Sequence, residues 1–541
     1  MQKVLTAGEM REVDRLTTEK YGITQLLLME NAAHAAARII TEKFGGPVAG
    51  KSFLILCGKG NNGGDGAAIG RILFTQGASV DVYLFGKVED TKNEARTNFE
   101  IVKNLAFSEY PDTNKLFFEE AALIDYWLHT TGFGIDKFDF VIDALFGTGL
   151  TRPLDSTFGL FSQIYSETKN HSKKPFFISL DLPSGLNANL GQPVGYNLKA
   201  DLTVTFTAAK PANVLPPASR FNGELVTVNI GSPQELIDNS PSQLFVAERA
   251  DAENWLRQTK FTDDSHKTAR GRALIIAGSK KMAGAAVLCA NAAIISGAGL
   301  IRVATPESAL NAVAARTAPE ALIAGVAETE NGAISEAAFE EVFELTKKTD
   351  VVAVGSGLSS DEETTKAFVL SLVENRKFPL VIDADGLNAL APFDVKGSDE
   401  FPLILTPHIG EMRKLLGVDE SADLTDRVKL VREFAQKHHV ILVLKGERSL
   451  IAEPGGKVVV NPTGNSGLGK AGSGDTLAGI ITGFVAQGVA LNIDIFETVV
   501  AALYISGVAG DIAARKIGKR SMTASHVREC LADAFREFEN D

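Results

Sequence analysis

Short apolar runs separated by helix-length stretches recur along nearly the whole chain, a rhythm that predicts layered α/β domains with mainly parallel sheets. In the first half the runs of strand type fall at 53–57, 80–85, 138–144, 176–180, 202–206 and 225–230. Ahead of them, Thr6-Ala7-Gly8-Glu9 has the spacing of a capping box, with Met10, Val13 and Leu16 following on one helical face. A second helix is predicted over 24–44.

Gly231-Ser232-Pro233 and Asn239-Ser240-Pro241-Ser242 interrupt the rhythm, which places a domain boundary near residue 245 and divides the chain into 1–245 and 246–541. Beyond it, strands are predicted at 273–277, 301–304, 351–354, 380–383, 403–406 and 440–444. A hairpin of 449–452 and 458–461 follows across Pro454-Gly455-Gly456, and helices are predicted at 283–296, 426–438 and 475–487. The halves share a rhythm but no motif, so nothing points to a duplication.

Composition narrows the classes. A chain of 541 residues exceeds one ordinary core, and 45% apolar with 22% charged residues is a globular balance. The net charge of −13 argues against nucleic acid as a partner, because phosphate backbones need a basic face, yet it leaves room for a small anion held by backbone amides. Cys57, Cys289 and Cys530 lie far apart and form no CxxC pair, which offers neither a disulfide framework nor a zinc site and suits a reducing cytoplasm. Met1-Gln2-Lys3-Val4 runs straight into the first helix without the apolar segment of a signal peptide. Residues 282–301 carry no charge and are long enough to span a bilayer. Their Ala and Gly content, with Asn291 and Ser296, fits better a buried helix, a glycine turn and a strand, so no membrane partner is expected.

Three loops in the first half collect chemistry at strand ends. Gly58-Lys59-Gly60-Asn61-Asn62-Gly63-Gly64-Asp65-Gly66 lies between a strand and a helix, where backbone N–H groups converge on an anion. Glycines there allow the backbone to approach phosphate oxygens, and the spacing is neither GxGxxG nor a Walker motif. The other two loops are Asp143-Ala144-Leu145-Phe146-Gly147-Thr148-Gly149-Leu150-Thr151-Arg152-Pro153 and Asp181-Leu182-Pro183-Ser184-Gly185. An aspartate ending an apolar strand either caps its own loop, binds a cation or acts as an acid/base. Asn62, Asp143 and Ser184 offer oxygen donors with one formal charge, a set suited to a hard, weakly held cation.

GNNGGDG, DALFGTGLTRPL, SLDLPSGLNANLG and TVTFTAAK (203–210), in that order, resemble the NAD(P)H-hydrate epimerase domain. The resemblance implies that Asn61, Asn62, Gly63, Gly64 and Asp65, with Gly147, Thr148, Gly149, Leu150, Thr151, Arg152 and Pro153, hold a hydrated dinucleotide. It further implies that Asn62, Asp143 and Ser184 bind potassium and that Asp181 is the acid/base facing the damaged ring. Lys59 departs from the small residue or proline expected there.

In the second half, Gly472-Ser473-Gly474-Asp475 opens a helix, so its amides and the helix dipole can meet a phosphoryl group while Asp475 takes a proton from an attacking hydroxyl. The bland reading of this Asp is a helix cap. Around it, Ala277-Gly278-Ser279 with Gly284-Ala285-Ala286, Gly355-Ser356-Gly357-Leu358, Asp383-Ala384-Asp385-Gly386-Leu387-Asn388, Thr406-Pro407-His408-Ile409-Gly410-Glu411 and Leu444-Lys445-Gly446-Glu447-Arg448-Ser449 resemble the ribokinase superfamily and, within it, the ADP- or ATP-dependent NAD(P)H-hydrate dehydratases. Ser356 and Ile409 stand where proline is usual. The resemblance implies dinucleotide contacts at Ala286, Gly357, His408 and Asp475, and an adenine-nucleotide site at Lys445, Gly446, Glu447, Arg448, Ser449 and Gly474.

Together these features predict a Rossmann-like three-layer α/β/α domain followed by a ribokinase-like α/β domain. The expected activities are epimerisation of hydrated NADH and NADPH and ADP-driven dehydration of the S form. Potassium is the expected ion of the first site, ADP the co-substrate and magnesium the companion of the second. A cytoplasmic homo-oligomer is expected. Two other readings stay open: a kinase for a vitamin precursor such as a hydroxymethylpyrimidine, and a silent nucleotide-sensing or interaction module in the first half.

Overall fold

The computed structural model describes residues 1–107, 114–121, 134–154, 158, 159, 162, 174–360 and 362–539. The chain divides into a unit of Lys3–Ser242 and a unit of Gln243–Asp541 that also takes in Met1–Gln2. The second unit claims the terminus because the Met1 ammonium meets Asp251 Oδ1 at 2.6 Å.

In the Lys3–Ser242 unit seven strands lie in the order Leu116–Ala121, Ser79–Phe85, Ser52–Cys57, Phe140–Ala144, Phe176–Leu180, Leu202–Phe206 and Glu224–Val228, all parallel. Side chains alternate across the sheet: Phe53, Ile55 and Cys57 enter one core, whereas Leu54 and Leu56 enter the other. The first core is closed by one face of the helix Gln25–Lys43, which presents Leu28, Ala32, Ala36 and Ile40. Thr6 caps the helix Ala7–Tyr21 with the reciprocal Glu9 bond of a capping box. Strand order reverses between Ser52–Cys57 and Phe140–Ala144, and a crevice for ligands opens beyond the carboxyl ends of such a pair. The strand Leu116–Ala121 escapes sequence reading because its two glutamates sit on a partly solvated edge.

The other unit carries eleven strands in the order Gln2–Lys3, Leu244–Val246, Val458–Val460, Leu450–Ala452, Ile441–Leu444, Leu403–Leu405, Leu380–Ile382, Val351–Val354, Arg272–Ile276, Leu300–Pro306 and Leu322–Val326. Pairing is parallel from Ile441–Leu444 through Leu322–Val326, and Leu450–Ala452 with Val458–Val460 forms the expected antiparallel hairpin. The reversal falls between Arg272–Ile276 and Val351–Val354. The uncharged stretch at 282–301 is the helix Ala283–Ile295, a turn at Gly297 with φ +96° and a strand from Leu300. One described helix, Ile495–Ile517, is long and apolar enough to cross a membrane, and 72% of its apolar window is buried inside the fold. It shares a core with Ser473–Ala490, where Phe484 stacks on Trp255 at 4.1 Å.

Candidate active sites

In the first unit the glycine loop opens the helix Asn61–Thr75, whose N-cap, Gly60, supplies no side-chain bond. Its leading amides therefore face out of the helix, the arrangement that receives an anion. The glycines are also required by packing. A β-carbon on Gly63 would stand 1.8 Å from the Gly58 carbonyl oxygen, and one on Gly58 2.0 Å from that of Leu145. They permit strand, loop and helix to close on each other, whereas Gly60 alone among them faces open space.

Asp143 is buried at the end of its strand and accepts from Ser179 Oγ at 3.0 Å, Ser184 N at 2.8 Å and Ser184 Oγ at 2.5 Å. Burial pushes its carboxyl above the ordinary value, opposed by those hydrogen bonds. Phe146 N donates to Ser184 Oγ at 2.9 Å, which ties the Phe146-Gly147 loop to the same group. Asn62 lies against Gly147, where a β-carbon would be 3.3 Å away, and both polar atoms of its carboxamide are buried without a protein partner. A buried carboxamide left unpaired costs about 1–3 kcal/mol, so it calls for a ligand. Among the described residues no group of three or more His, Cys, Asp or Glu side chains could hold a metal ion. Thr151, Arg152 and Pro153 are exposed, and Gly63 and Gly64 are buried.

Asp181, in the left-handed region at φ +65°, forms an ion pair with Lys210 that the sequence reading did not assign. Lys210 is buried, and Nζ also donates to Thr205 Oγ1 at 2.9 Å and to the Phe206 carbonyl at 3.0 Å. Thr205 Oγ1 donates in turn to Asp181 Oδ1 at 3.1 Å. Lys210 closes the TVTFTAAK stretch, and a lysine in an otherwise apolar segment just beyond a buried strand is the signal that could have found it. Two further carboxyls share the field. Burial, then the charges of Asp181 and Asp14, push Asp65 well up against the pull of Lys210. Burial lifts Asp14 to about 6, with Lys210 lowering and Asp181 raising it, and its Oδ1 has no protein partner.

In the second unit the helix Ser473–Ala490 starts after Gly472 at φ +85°, without a side-chain cap. Asp475 is therefore not the cap. It takes a hydrogen bond from Ser356, and burial raises its carboxyl, with Asp383 and Asp385 adding to the rise and Lys445 opposing it. Lys445 Nζ is 2.6 Å from Asp383 Oδ1 and 3.7 Å from Glu411 Oε2. Thr406 Oγ1 donates to the same Asp383 oxygen at 2.7 Å. His408 caps the helix Ile409–Leu416: its Nδ1 accepts from Gly410 N at 3.0 Å and Glu411 N at 3.2 Å, while Nε2 of this exposed side chain stands 3.6 Å from Glu411 Oε1. Gly278 N donates to the Ser356 carbonyl at 2.8 Å, joining the two loops at the strand reversal. Gly357 has φ +69° and is buried, and Ala286 is fully buried against Gly278, so Ala286 sets spacing and presents no atom to solvent. Gly446 and Glu447 are exposed, while Arg448 and Ser449 are half-buried and burial lowers the Arg448 guanidinium.

A family model described as NAD(P)H-hydrate dehydratase matches residues 273–532, and one described as YjeF-related protein N-terminus matches 25–212. The bifunctional NAD(P)H-hydrate repair enzyme Nnr of Moorella thermoacetica is 37% identical over 541 residues, covering 99% of this chain and 97% of its own. The chain belongs to the bifunctional NAD(P)H-hydrate repair enzymes. Within this repair family, the Thermofilum pendens enzyme is 35% identical over 100% of this chain and 97% of its own, and that of Escherichia coli 30% over 97% and 92%. An ADP/ATP-dependent NAD(P)H-hydrate dehydratase from Bacillus subtilis, co-crystallised with ATP/Mg2+, is 28% identical and covers 55% of this repair enzyme and 99% of its own chain, with a TM-score of 0.48.

Proposed function

We propose that the Lys3–Ser242 unit interconverts the R and S forms of hydrated NADH and NADPH, and that the Gln243–Asp541 unit dehydrates the S form, converting ADP to AMP and phosphate. Asp181 is the acid/base of the first reaction. Lys210 pairs with it, while burial pushes the nearby Asp65 and Asp14 carboxyls above the ordinary carboxylate range. Asn61, Gly63 and Gly64 at the helix start and the 147–153 loop hold the dinucleotide.

In the second reaction Asp475 accepts the proton of the ring hydroxyl as that oxygen bonds to the β-phosphorus of ADP and AMP departs. Phosphate then leaves with a ring proton, restoring the double bond. Hydroxide leaves poorly and phosphate readily, so a kinase-like site suits a dehydration. The observation that carries this reading is the Asp475 carboxyl at the open N-terminus of its helix, beside the Lys445–Asp383 pair.

Potassium fits the first site: Asn62 Oδ1 is buried and unpartnered beside the Gly147 loop, and Asp143 and Ser184 add oxygen donors bound to that loop. When bound, the ion supplies positive charge that fixes the two loops for an anionic dinucleotide. Among the described residues no cluster of three acids or histidines is present, so magnesium would be held mainly by the nucleotide phosphates. Three buried free cysteines suit a cytoplasmic setting, and a homo-oligomer is our expectation. The test is to incubate the protein with mixed-epimer NADH hydrate and ADP or ATP while following reduced nicotinamide. Complete recovery of absorbance is expected, whereas accumulation of a stable phosphate ester would identify a kinase instead.

A further inference from the structure

The resemblance implies that Lys445 lies among the residues around an adenine nucleotide, but its surroundings do not suit a base or a ribose. The ammonium is only partly exposed, 2.6 Å from Asp383 Oδ1 and 3.7 Å from Glu411 Oε2. Asp383 is itself anchored, because its Oδ1 also accepts from Thr406 Oγ1 at 2.7 Å. The pair lies against the helix that opens the phosphoryl site: a β-carbon on Gly474 would be 3.5 Å from both Lys445 Nζ and Asp383 Oδ2. Asp475 is the next residue on that helix. The backbone of Lys445 is fixed as well, since its N–H donates to the Pro407 carbonyl at 2.8 Å. An ammonium carries three donors, and only one is committed within 3 Å here.

From this the geometry points to Lys445 as the side chain that contacts the transferred β-phosphoryl group of ADP, with Asp383 as the residue that positions it. The inference rests on ADP being the nucleotide of this site. As the ring hydroxyl oxygen bonds to β-phosphorus and the bond from that phosphorus to the bridging oxygen breaks, charge develops on the bridging oxygen and spreads over the phosphoryl oxygens. A fixed cation at that point stabilises the charge. Asp383 keeps the ammonium from swinging out to solvent. Its Oδ2 stays on the side of Gly474.

ADP and AMP differ by the group in question, which gives the test. Affinities of the full-length protein for ADP and for AMP are measured by calorimetry with magnesium present, for the wild type and for Lys445→Met, Lys445→Gln and Asp383→Asn. Loss of a charged hydrogen bond should weaken ADP roughly tenfold to a hundredfold in both Lys445 variants while AMP changes by less than threefold. Asp383→Asn should lower ADP affinity several-fold with AMP again retained. Normal AMP binding also reports a folded site, and Lys445→Gln serves if the methionine variant does not fold. Equal losses for AMP and ADP would place Lys445 on the adenosine or α-phosphate. No loss for either would make it a structural ion pair, and each result overturns the inference. A wild type that binds neither nucleotide would instead remove the ADP reading on which it rests.

Discussion

Asp475 separates the chemical and structural roles of a single carboxyl. It stands in the first turn of its helix but does not cap it, and Ser356, Asp383 and Lys445 surround it. Asp475→Asn keeps the shape and removes the base, so the dehydration rate should fall on the order of a hundredfold to ten-thousandfold while ADP binding survives. A variant within a few-fold of the wild type would exclude Asp475 as the base. Asp14 allows a stability test. Its carboxyl is raised from 3.8 to about 6, chiefly by burial. A raised value means that the folded state favours the proton. The stabilisation is complete at low pH and fades as the pH rises through about 6, amounting to up to about 3 kcal/mol at 1.36 kcal/mol for each pH unit. Denaturant melts of the wild type should lose that increment between about pH 4 and about 7 relative to Asp14→Asn. Parallel curves for the two proteins would refute it. At the proposed cation site, exhaustive exchange into a buffer free of potassium and sodium should abolish epimerisation, and Asp143→Ala should weaken the site more than Ser184→Ala because it removes the formal charge.

At the scale of elements, the glycine loop and the strand ends decide where these groups can stand. Gly63→Ala would push a β-carbon into the Gly58 carbonyl, whereas Gly60→Ala meets nothing within 4 Å at a negative φ. The first should cost about 3 kcal/mol or more and impair epimerisation, and the second should leave the melting temperature almost unchanged. Equal melting curves would show that the loop can relax. Central strands such as Phe140–Ala144 and Leu202–Phe206 are legible in the sequence because both faces are buried and every residue is apolar or tucked into a loop bond. Two of the edge strands, Leu116–Ala121 and Leu322–Val326, are not. Leu322–Val326 is apolar but interrupted by a glycine and largely half-exposed, so it lacks the dense β-branched signature of a buried strand.

Across the whole chain, two sheets each reverse their strand order within a parallel run, and each such reversal gathers loops that carry candidate chemistry. Separate sites in separate units predict separable reactions. Residues 3–242 should epimerise without adenine nucleotide, and Asp475→Asn in the intact chain should leave epimerisation unchanged. Activity that returns only when both pieces are mixed would show that a site is shared.

Apolar periodicity, turn residues and the order of the glycine loops are local properties, and they already determine two α/β units, most of the central strands and the chain positions of Asp143, Asp181 and Asp475. What a carboxyl meets once folded depends on strand order, which no local window contains. Asp181 and Lys210 are 29 residues apart, and Asp383 and Lys445 are 62 apart. Each pair forms because parallel strands carry both residues to the same end of a sheet. The unpartnered carboxamide of Asn62 is likewise decided by the Gly147 loop packed against it. Burying these charges is expensive unless their partners arrive in the same place, and only the assembled sheets bring the partners there.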